Sequence, residues 1–163
     1  MKIILNLIVL SLFLTSCSES KNNIKQYSIE TLMSNNRSSG GYFSKDAKKL
    51  IYSSDKSGIF NIYEVDLETK LEKQITDSKE ESFFVRGYSP ITGEIIYSAD
   101  IGGNENSHIY IIRDGNSIDL TPGENTKASF FGWTNNELEM YVISNYRDPR
   151  FFDLYKIDME TLS

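Results

Sequence analysis

Apolar and polar residues alternate along much of this chain, in short runs separated by turn-forming residues. Within residues 59–67, Tyr63 and Val65 fall on one face of an extended segment, and Glu64 and Asp66 fall on the other. Alternation with a period of two is typical of a β-strand with one buried face. At the start of the segment apolar residues occupy both faces, which favours a sheet packed between neighbouring sheets.

The alternating runs repeat at a fixed spacing. Residues 43–55 match residues 88–100 at an offset of 45, and both contain an aromatic residue, a serine, a turn, an apolar pair, then Tyr, Ser and Asp. A third copy has its turn at 132–136, and we assign Met140-Tyr141 as its apolar pair and align Tyr141 with Tyr97, 44 residues earlier.

The later part of each unit also repeats. Residues 60–69 match 152–161 at an offset of 92, with five of ten positions identical, and the copy between them lies at 107–112. A period near 45 is typical of β-propeller blades. A β-sandwich would also alternate, but it has no reason to repeat at this spacing.

The sequence therefore predicts an all-β fold, a β-propeller with about two complete four-stranded blades and a partial third in an open ring. We place the blades at about 38–80, 83–125 and 129–163. The predicted strands lie near 40–44, 48–54, 59–67 and 71–76, then 84–88, 94–100, 106–112 and 115–120, then 130–133, 138–145 and 151–159. At about 45 residues a blade, a closed ring of at least about four blades needs more residues than this chain has. Bare blade faces and an unpaired edge would favour self-association.

The first 16 residues differ from the rest. Lys2 precedes a 12-residue apolar stretch that ends at Leu14, and at 1.5 Å a residue this spans only about 18 Å, too little to cross a bilayer. Residues 1–16 are predicted to be a signal peptide. The string Leu-Thr-Ser-Cys resembles a bacterial lipobox, which implies cleavage before Cys17 and its acylation; an ordinary leader followed by a free thiol is the alternative. Residues 17–26 would be a tether and 27–163 the propeller.

Composition excludes several functions. The chain has 17 basic and 23 acidic residues, for a net charge of −6, and no basic run longer than Lys48-Lys49, which argues against nucleic-acid binding. One His and one Cys cannot form a Cys/His zinc site. There is no Gly-x-Gly-x-x-Gly and no phosphate-binding loop. We therefore predict no metal site and no cofactor.

Three further strings carry a family resemblance. The repeat itself, in Phe43–Ser54 and Asn61–Leu67, looks like that of TolB-like propellers. Residues 102–110, 119–124 and 144–155 together resemble the amino-terminal propeller of envelope members of the prolyl oligopeptidase family of serine peptidases. The resemblance covers about residues 26–163. It implies a separate α/β-hydrolase domain that would carry the catalytic Ser, Asp and His.

Each candidate site residue also has a possible structural role. His108 lies in a predicted strand with no nucleophile beside it, so a structural role is favoured over a general base. Asp100, Asn104, Glu105 and Asn106 could ligate calcium, but the glycines among them favour a turn. Asp55 holds the same position in the first repeat as Asp100 does in the second, and this recurrence also favours a structural role. Three charged residues form a cluster in the sequence: Arg147, Asp148 and Arg150. For this cluster, surface ion pairs are favoured over a clamp that binds the carboxylate of a ligand. Asn36-Arg37-Ser38 is a glycosylation sequon, which we discount in a bacterial lipoprotein.

Two functions remain open. One is the amino-terminal propeller portion of an envelope-anchored prolyl oligopeptidase-type peptidase, not catalytic by itself because the 163 residues contain no Gly-x-Ser-x-Gly elbow. In the parent this domain would gate access of peptide substrates. The alternative is a TolB-like periplasmic propeller that binds an envelope protein and has no hydrolase activity. In both cases the expected partners are the membrane, through Cys17, and a peptide or protein, at the bacterial cell envelope.

Overall fold

The computed structural model describes residues 25–163, so the predicted signal peptide and Cys17 lie outside the described residues. Residues 25–35 belong to a unit separate from Asn36–Ser163 and contain one short helix, α1 (Ile29–Met33), which the alternation pattern did not predict. Ser28 caps this helix, its Oγ accepting the Thr31 backbone N–H at 3.2 Å. None of the helices among residues 25–163 is long and apolar enough to cross a membrane.

The second unit contains eleven strands in three antiparallel sheets, each a meander of consecutive strands. The first sheet consists of β1 (Ser38–Phe43), β2 (Lys49–Ser54), β3 (Asn61–Asp66) and β4 (Glu72–Gln74). The second consists of β5 (Phe84–Tyr88), β6 (Ile95–Ala99), β7 (His108–Arg113) and β8 (Asn116–Asp119). The third consists of β9 (Ala128–Trp133), β10 (Glu139–Asp148) and β11 (Phe151–Asp158). All eleven predicted strands are present, and β10 runs three residues further than predicted, to Asp148.

The internal repeat is visible in the turns at atomic level. After β3, Asp66 Oδ1 accepts the backbone N–H of Thr69 at 2.7 Å and its hydroxyl at 2.9 Å. After β11, Asp158 Oδ1 accepts the same two groups of Thr161, at 2.8 and 3.2 Å. An aspartate that binds the backbone three residues ahead fixes a tight turn, which explains why Asp and Thr recur 92 residues apart.

The first strand of every sheet has a β-bulge at the same place. Two residues of β1, Gly40 and Gly41, oppose the single residue Tyr52 of β2. The extra residue is Arg86 in β5 and Phe131 in β9. A bulge re-aims the side chain at the extra position, and Arg86 and Phe131 are both exposed.

The second sheet is buried on both faces. Ile95 and Tyr97 pack against the first sheet at what we call the first junction, whereas Ile96 packs against the third sheet at the second junction. All five residues of β6 are therefore buried, although a strand of a half-exposed sheet would bury only alternate residues. The two apolar clusters lie back to back through this sheet.

The third copy of the repeat is shifted by one residue from the alignment that pairs Tyr141 with Tyr97. Tyr97 opposes Val85 and Tyr110, and in the third sheet the residue with the matching partners, Phe130 and Tyr155, is Val142. Because the side chains of a strand alternate, this single step moves Tyr141 to the opposite face. The pairing of Tyr141 with Tyr97 was therefore wrong, whereas the strand partners place the apolar pair Met140-Tyr141 at the positions of Ile95-Ile96, as assigned.

The third sheet presents an uncovered apolar face. Tyr155 and Ile157 of β11 pack into the second junction, so Phe152 and Leu154 point the other way, where 54% and 56% of their surfaces are exposed. Within the described residues no strand pairs with the outer edge of β11 and no sheet covers this face. An open edge beside an apolar face is a template for association.

We propose that this face makes the mature chain, residues 17–163, self-associate. Light scattering on delipidated protein should show dimers or larger species, and Phe152→Lys with Leu154→Lys should shift the population towards monomer. The matched control is Ile91→Lys, since Ile91 is 54% exposed in a turn away from this face. A wild-type chain that is monomeric at all concentrations would contradict the proposal.

The repeated turn gives a second prediction, with an internal control. Hydrogen bonds from the backbone and hydroxyl of Thr69 lower the pKa of Asp66 from its ordinary value, and those of Thr161 do the same for Asp158. A lowered pKa means that each turn contributes stability above the unfolded-state pKa and loses it as pH falls through the folded-state pKa. In a carboxyl NMR titration, Thr69→Val should raise the pKa of Asp66 and leave that of Asp158 unchanged, and Thr161→Val should do the reverse. A Thr69→Val variant in which Asp66 titrates as in the wild type would show that the Thr69 hydroxyl does not stabilise that carboxylate.

Candidate functional site

The first strands of all three sheets contribute to one cleft. It has a volume of about 310 Å³ and is lined by Tyr42 of β1, Arg86 of β5 and Phe130 of β9. The rest of its wall is polar or small, formed by Ser98, Ser107, Lys127, Ala128 and Ser129. Nearby, the Lys45 ammonium contacts the Glu137 carboxylate at 3.0 Å, so turns of the first and third sheets meet.

A serine hydrogen bond joins the two sheets at the first junction, but the equivalent serine makes no such bond at the second. Ser53 Oγ, in the first sheet, accepts the backbone N–H of Val85 in the second sheet at 2.8 Å. The equivalent serine, Ser98, instead accepts from Arg86 Nε of its own sheet at 3.0 Å. Among the described residues Ser98 makes no side-chain hydrogen bond to β9, and the cleft lies between β5 and β9.

The cleft is basic in an acidic protein. Arg86 and Lys127 both line it, and neither has a carboxylate partner among residues 25–163. Guanidinium and ammonium groups that lack an internal carboxylate partner are suited to binding the carboxylate of a ligand. Sequence analysis did not single out either residue; the signal it could have used is the position of Arg86, which replaces the Gly41 of the first repeat.

His108 lies outside this cleft, in a buried position. It is 7% exposed, and its Nδ1 lies 2.7 Å from Asp119 Oδ2. The equivalent residue of the first sheet, Asn61, is fully buried and binds Thr76 and Ser78. Burial raises the pKa of the neighbouring Tyr110 to about 12, so its phenol is protonated at neutral pH. The position supports the structural role that sequence analysis favoured for His108.

The Asp100 loop forms a turn through its own side chains. Asp100 Oδ2 accepts the Glu105 N–H at 3.1 Å, and Asn104 Oδ1 accepts that of Asn106 at 2.9 Å. Among the described residues no three His, Cys, Asp or Glu side chains converge on a metal-sized site.

Asp55 holds β1, because its Oδ1 accepts the Arg37 N–H at 2.6 Å. Asn145, at the same position of the third repeat, accepts that of Lys127 at 2.6 Å. Sequence analysis had noted the recurrence only for Asp55 and Asp100. The third member became visible once the third repeat was correctly aligned.

The charged cluster at the β10–β11 hairpin consists of local ion pairs. Arg147 Nε lies 2.7 Å from Asp153 Oδ2, and Arg150 Nη2 lies 2.7 Å from Asp148 Oδ2. Both guanidinium groups also lie over the ring of Phe151, at 5.8 and 5.4 Å. Since each arginine already binds a carboxylate of this chain, the cluster is not a free carboxylate clamp. Asn36 of the sequon is exposed just before β1.

Known proteins share this arrangement of sheets. No family model matches the chain. It is 27% identical over 137 residues to dipeptidyl aminopeptidase BIII of Pseudoxanthomonas mexicana, which covers 80% of this chain and 19% of that protein. TolB from Acinetobacter baumannii has a TM-score of 0.59 at 22% identity, covering 78% of this chain and 31% of TolB. A puromycin hydrolase has a TM-score of 0.60 at 18% identity, covering 78% of this chain and 20% of that enzyme.

The three sheets are blades of a β-propeller. The prediction of two four-stranded blades and a partial third in an open array is confirmed by the sheet order and by these structural neighbours. In propellers the blades surround a central channel, so the cleft formed by the first strands of the three blades lies on the channel side. The chain spans about a fifth of the length of the curated relative it matches.

Proposed function

We propose that this chain is the amino-terminal propeller portion of an envelope-anchored serine peptidase of the prolyl oligopeptidase type, and that it is not catalytic by itself. The observation that carries the proposal is the 27% identity to a dipeptidyl aminopeptidase over 137 residues, nearly the whole described chain. The likeness to a puromycin hydrolase, which is a similarity of fold, agrees with this proposal. The catalytic groups would belong to a hydrolase domain of the parent protein.

The cleft would allow this propeller to select the peptides that reach the hydrolase domain. Peptides that approach a hydrolase domain through the channel would pass Arg86 and Lys127, which are free to hold a carboxylate of the peptide. The narrow, partly aromatic wall formed with Tyr42 and Phe130 would favour short, extended peptides over folded proteins. The propeller would thus gate access of substrate.

A second candidate function is a TolB-like propeller that binds an envelope protein. The fold likeness to TolB, with a TM-score of 0.59, favours it. The two candidates predict different coding sequence downstream of codon 163 in the gene. Further blades, then a Gly-x-Ser-x-Gly and a late His, would support the peptidase; blades without a hydrolase domain would support the binding module.

The proposal predicts that the purified chain has no peptidase activity. Chromogenic dipeptides with proline or alanine at the scissile position should remain uncleaved, because the 163 residues contain no nucleophile elbow and His108 is buried against Asp119. His108→Asn is the variant that tests a catalytic role of His108, because Asn61 occupies the equivalent place in the first blade. Activity that copurifies with the wild-type chain and falls in His108→Asn would refute the non-catalytic assignment.

The proposal also predicts a lipid anchor. Cys17 would be acylated after cleavage of residues 1–16, so the chain should be recovered with membranes and should label with a palmitate analogue. Cys17→Ser should give an unprocessed precursor or a soluble product, whereas Ser18→Ala should behave as the wild type. Membrane recovery and labelling that survive Cys17→Ser would show that the anchor lies elsewhere.

A further inference from the structure

Among the described residues, no acidic side chain lines the basic cleft. Arg86 and Lys127 line it, and the other polar residues of its wall are serines and Tyr42. Two cations without a counter-charge in a cleft of about 310 Å³ leave a local excess of positive charge, although the whole chain has a net charge of −6. The cleft is therefore suited to an anion.

A hydrogen bond to Ser98 orients the Arg86 side chain. Arg86 donates through Nε to Ser98 Oγ at 3.0 Å, and none of the ion pairs within residues 25–163 includes Arg86. A guanidinium that is held through Nε keeps its two terminal nitrogens for a ligand. Because these nitrogens lie in one plane, they match the two oxygens of a single carboxylate.

The second cation comes from the next blade. Lys127 immediately precedes β9, and Asn145 holds its backbone twice. Asn145 Oδ1 accepts the Lys127 N–H at 2.6 Å, and the Asn145 N–H donates to the Lys127 carbonyl at 3.2 Å. The second and third blades thus each contribute one cation to the same cleft.

Aromatic rings form the apolar part of the wall. Tyr42 lies close to Gly87, the neighbour of Arg86, and a Cβ atom at Gly87 would lie 3.7 Å from the Tyr42 ring. Phe130 is tilted against Trp133, with ring centroids 5.6 Å apart. Rings beside two cations favour a carboxylate that carries an organic side chain over a small inorganic anion.

Unpaired strand edges favour a peptide among the organic carboxylates. β5 and β9 are each the first strand of a sheet, and within the described residues each pairs with one strand only. Both strands line the cleft, through Arg86 on β5 and Ser129 on β9. An edge strand presents free N–H and C=O groups, to which the main chain of an extended peptide can bind.

The size of the cleft favours the end of a peptide over its middle. A volume of about 310 Å³ is at the lower end of the range for small-molecule sites. The terminal carboxylate is attached directly to the main chain, so it can reach Arg86 while the last residues lie along the strand edges.

We propose that the basic cleft binds the carboxyl-terminal residue of a short peptide, with Arg86 and Lys127 on its terminal carboxylate. The choice of a peptide as ligand rests on the proposed function, whereas the carboxylate chemistry rests on the cleft alone. The site would hold the free carboxyl end of a substrate in the channel and restrict the parent enzyme to short peptides.

Binding of tripeptides to the mature chain tests the ligand. In calorimetry Ala-Ala-Phe, with a free carboxylate, should bind saturably. Its amide, the Ala-Glu-Phe amide with a side-chain carboxylate only, and inorganic phosphate should each bind at least about tenfold more weakly, because a charge-assisted hydrogen bond is lost or the organic contacts are absent. The proposal is overturned if Ala-Ala-Phe does not bind, if either amide binds equally well, or if equal binding of phosphate shows an adventitious ion only.

Variants that remove one charge locate the site. Arg86→Gln and Lys127→Gln should each weaken binding of Ala-Ala-Phe by at least about tenfold. Arg150→Gln is the matched control, because it removes the same charge from an ion pair that does not line the cleft. Arg86 and Lys127 are exposed, so neither variant should affect folding, which circular dichroism checks.

A cleft variant that binds Ala-Ala-Phe as tightly as the wild type would also overturn the proposal. The readout is binding by this chain and not hydrolysis. A negative result therefore leaves the peptidase assignment intact, since that assignment is tested by the coding sequence downstream of codon 163.

Discussion

Strand β6 is buried along its whole length, because a neighbouring sheet covers each face of the second blade. Ile95 and Tyr97 face one neighbour and Ile96 faces the other, and all are at most 8% exposed. Burial of one such side chain contributes about 1.5–3 kcal/mol, so the second blade is stabilised only as long as both neighbours are in place. The first and third blades bury one face each within the described residues. The fold is therefore a stack in which stability comes from the junctions and not from single sheets.

The two junctions are built from the same backbone and differ in a few side chains. In the first, the rings of Phe83 and Tyr97 pack against each other, and Ser53 binds the next blade. In the second, Ala128 and Val142 hold the equivalent positions, and Arg86 donates a hydrogen bond to the equivalent serine, Ser98. The basic cleft lies at this second junction. The candidate site of the chain thus lies where the repeat departs from its own pattern.

The repeat predicted the strands because each turn depends on residues close in sequence. Asp66 and Asp158 make the same bonds to threonines three residues ahead, so the turn is encoded locally. In the third blade, however, comparing residue types along the chain gave an alignment that was wrong by one residue. Aligning Tyr141 with Tyr97 matched residue type, but the structure matches partners, and the true counterpart is Val142. The short helix α1 was missed because a five-residue segment has no alternation to detect.

The sequence by itself determined the class of fold, the number of blades and the local role of the recurring aspartates, since periodicity and turn chemistry depend on neighbours along the chain. It also led to the expectation that His108 is structural, because no nucleophile accompanies it. Only the tertiary structure decided which residues meet. Tyr42 belongs to β1, Arg86 to β5 and Phe130 to β9, and these side chains form one cleft although they are more than 40 positions apart. An empty volume between sheets is a property of side chains that are distant in sequence and adjacent in space, which no local pattern records.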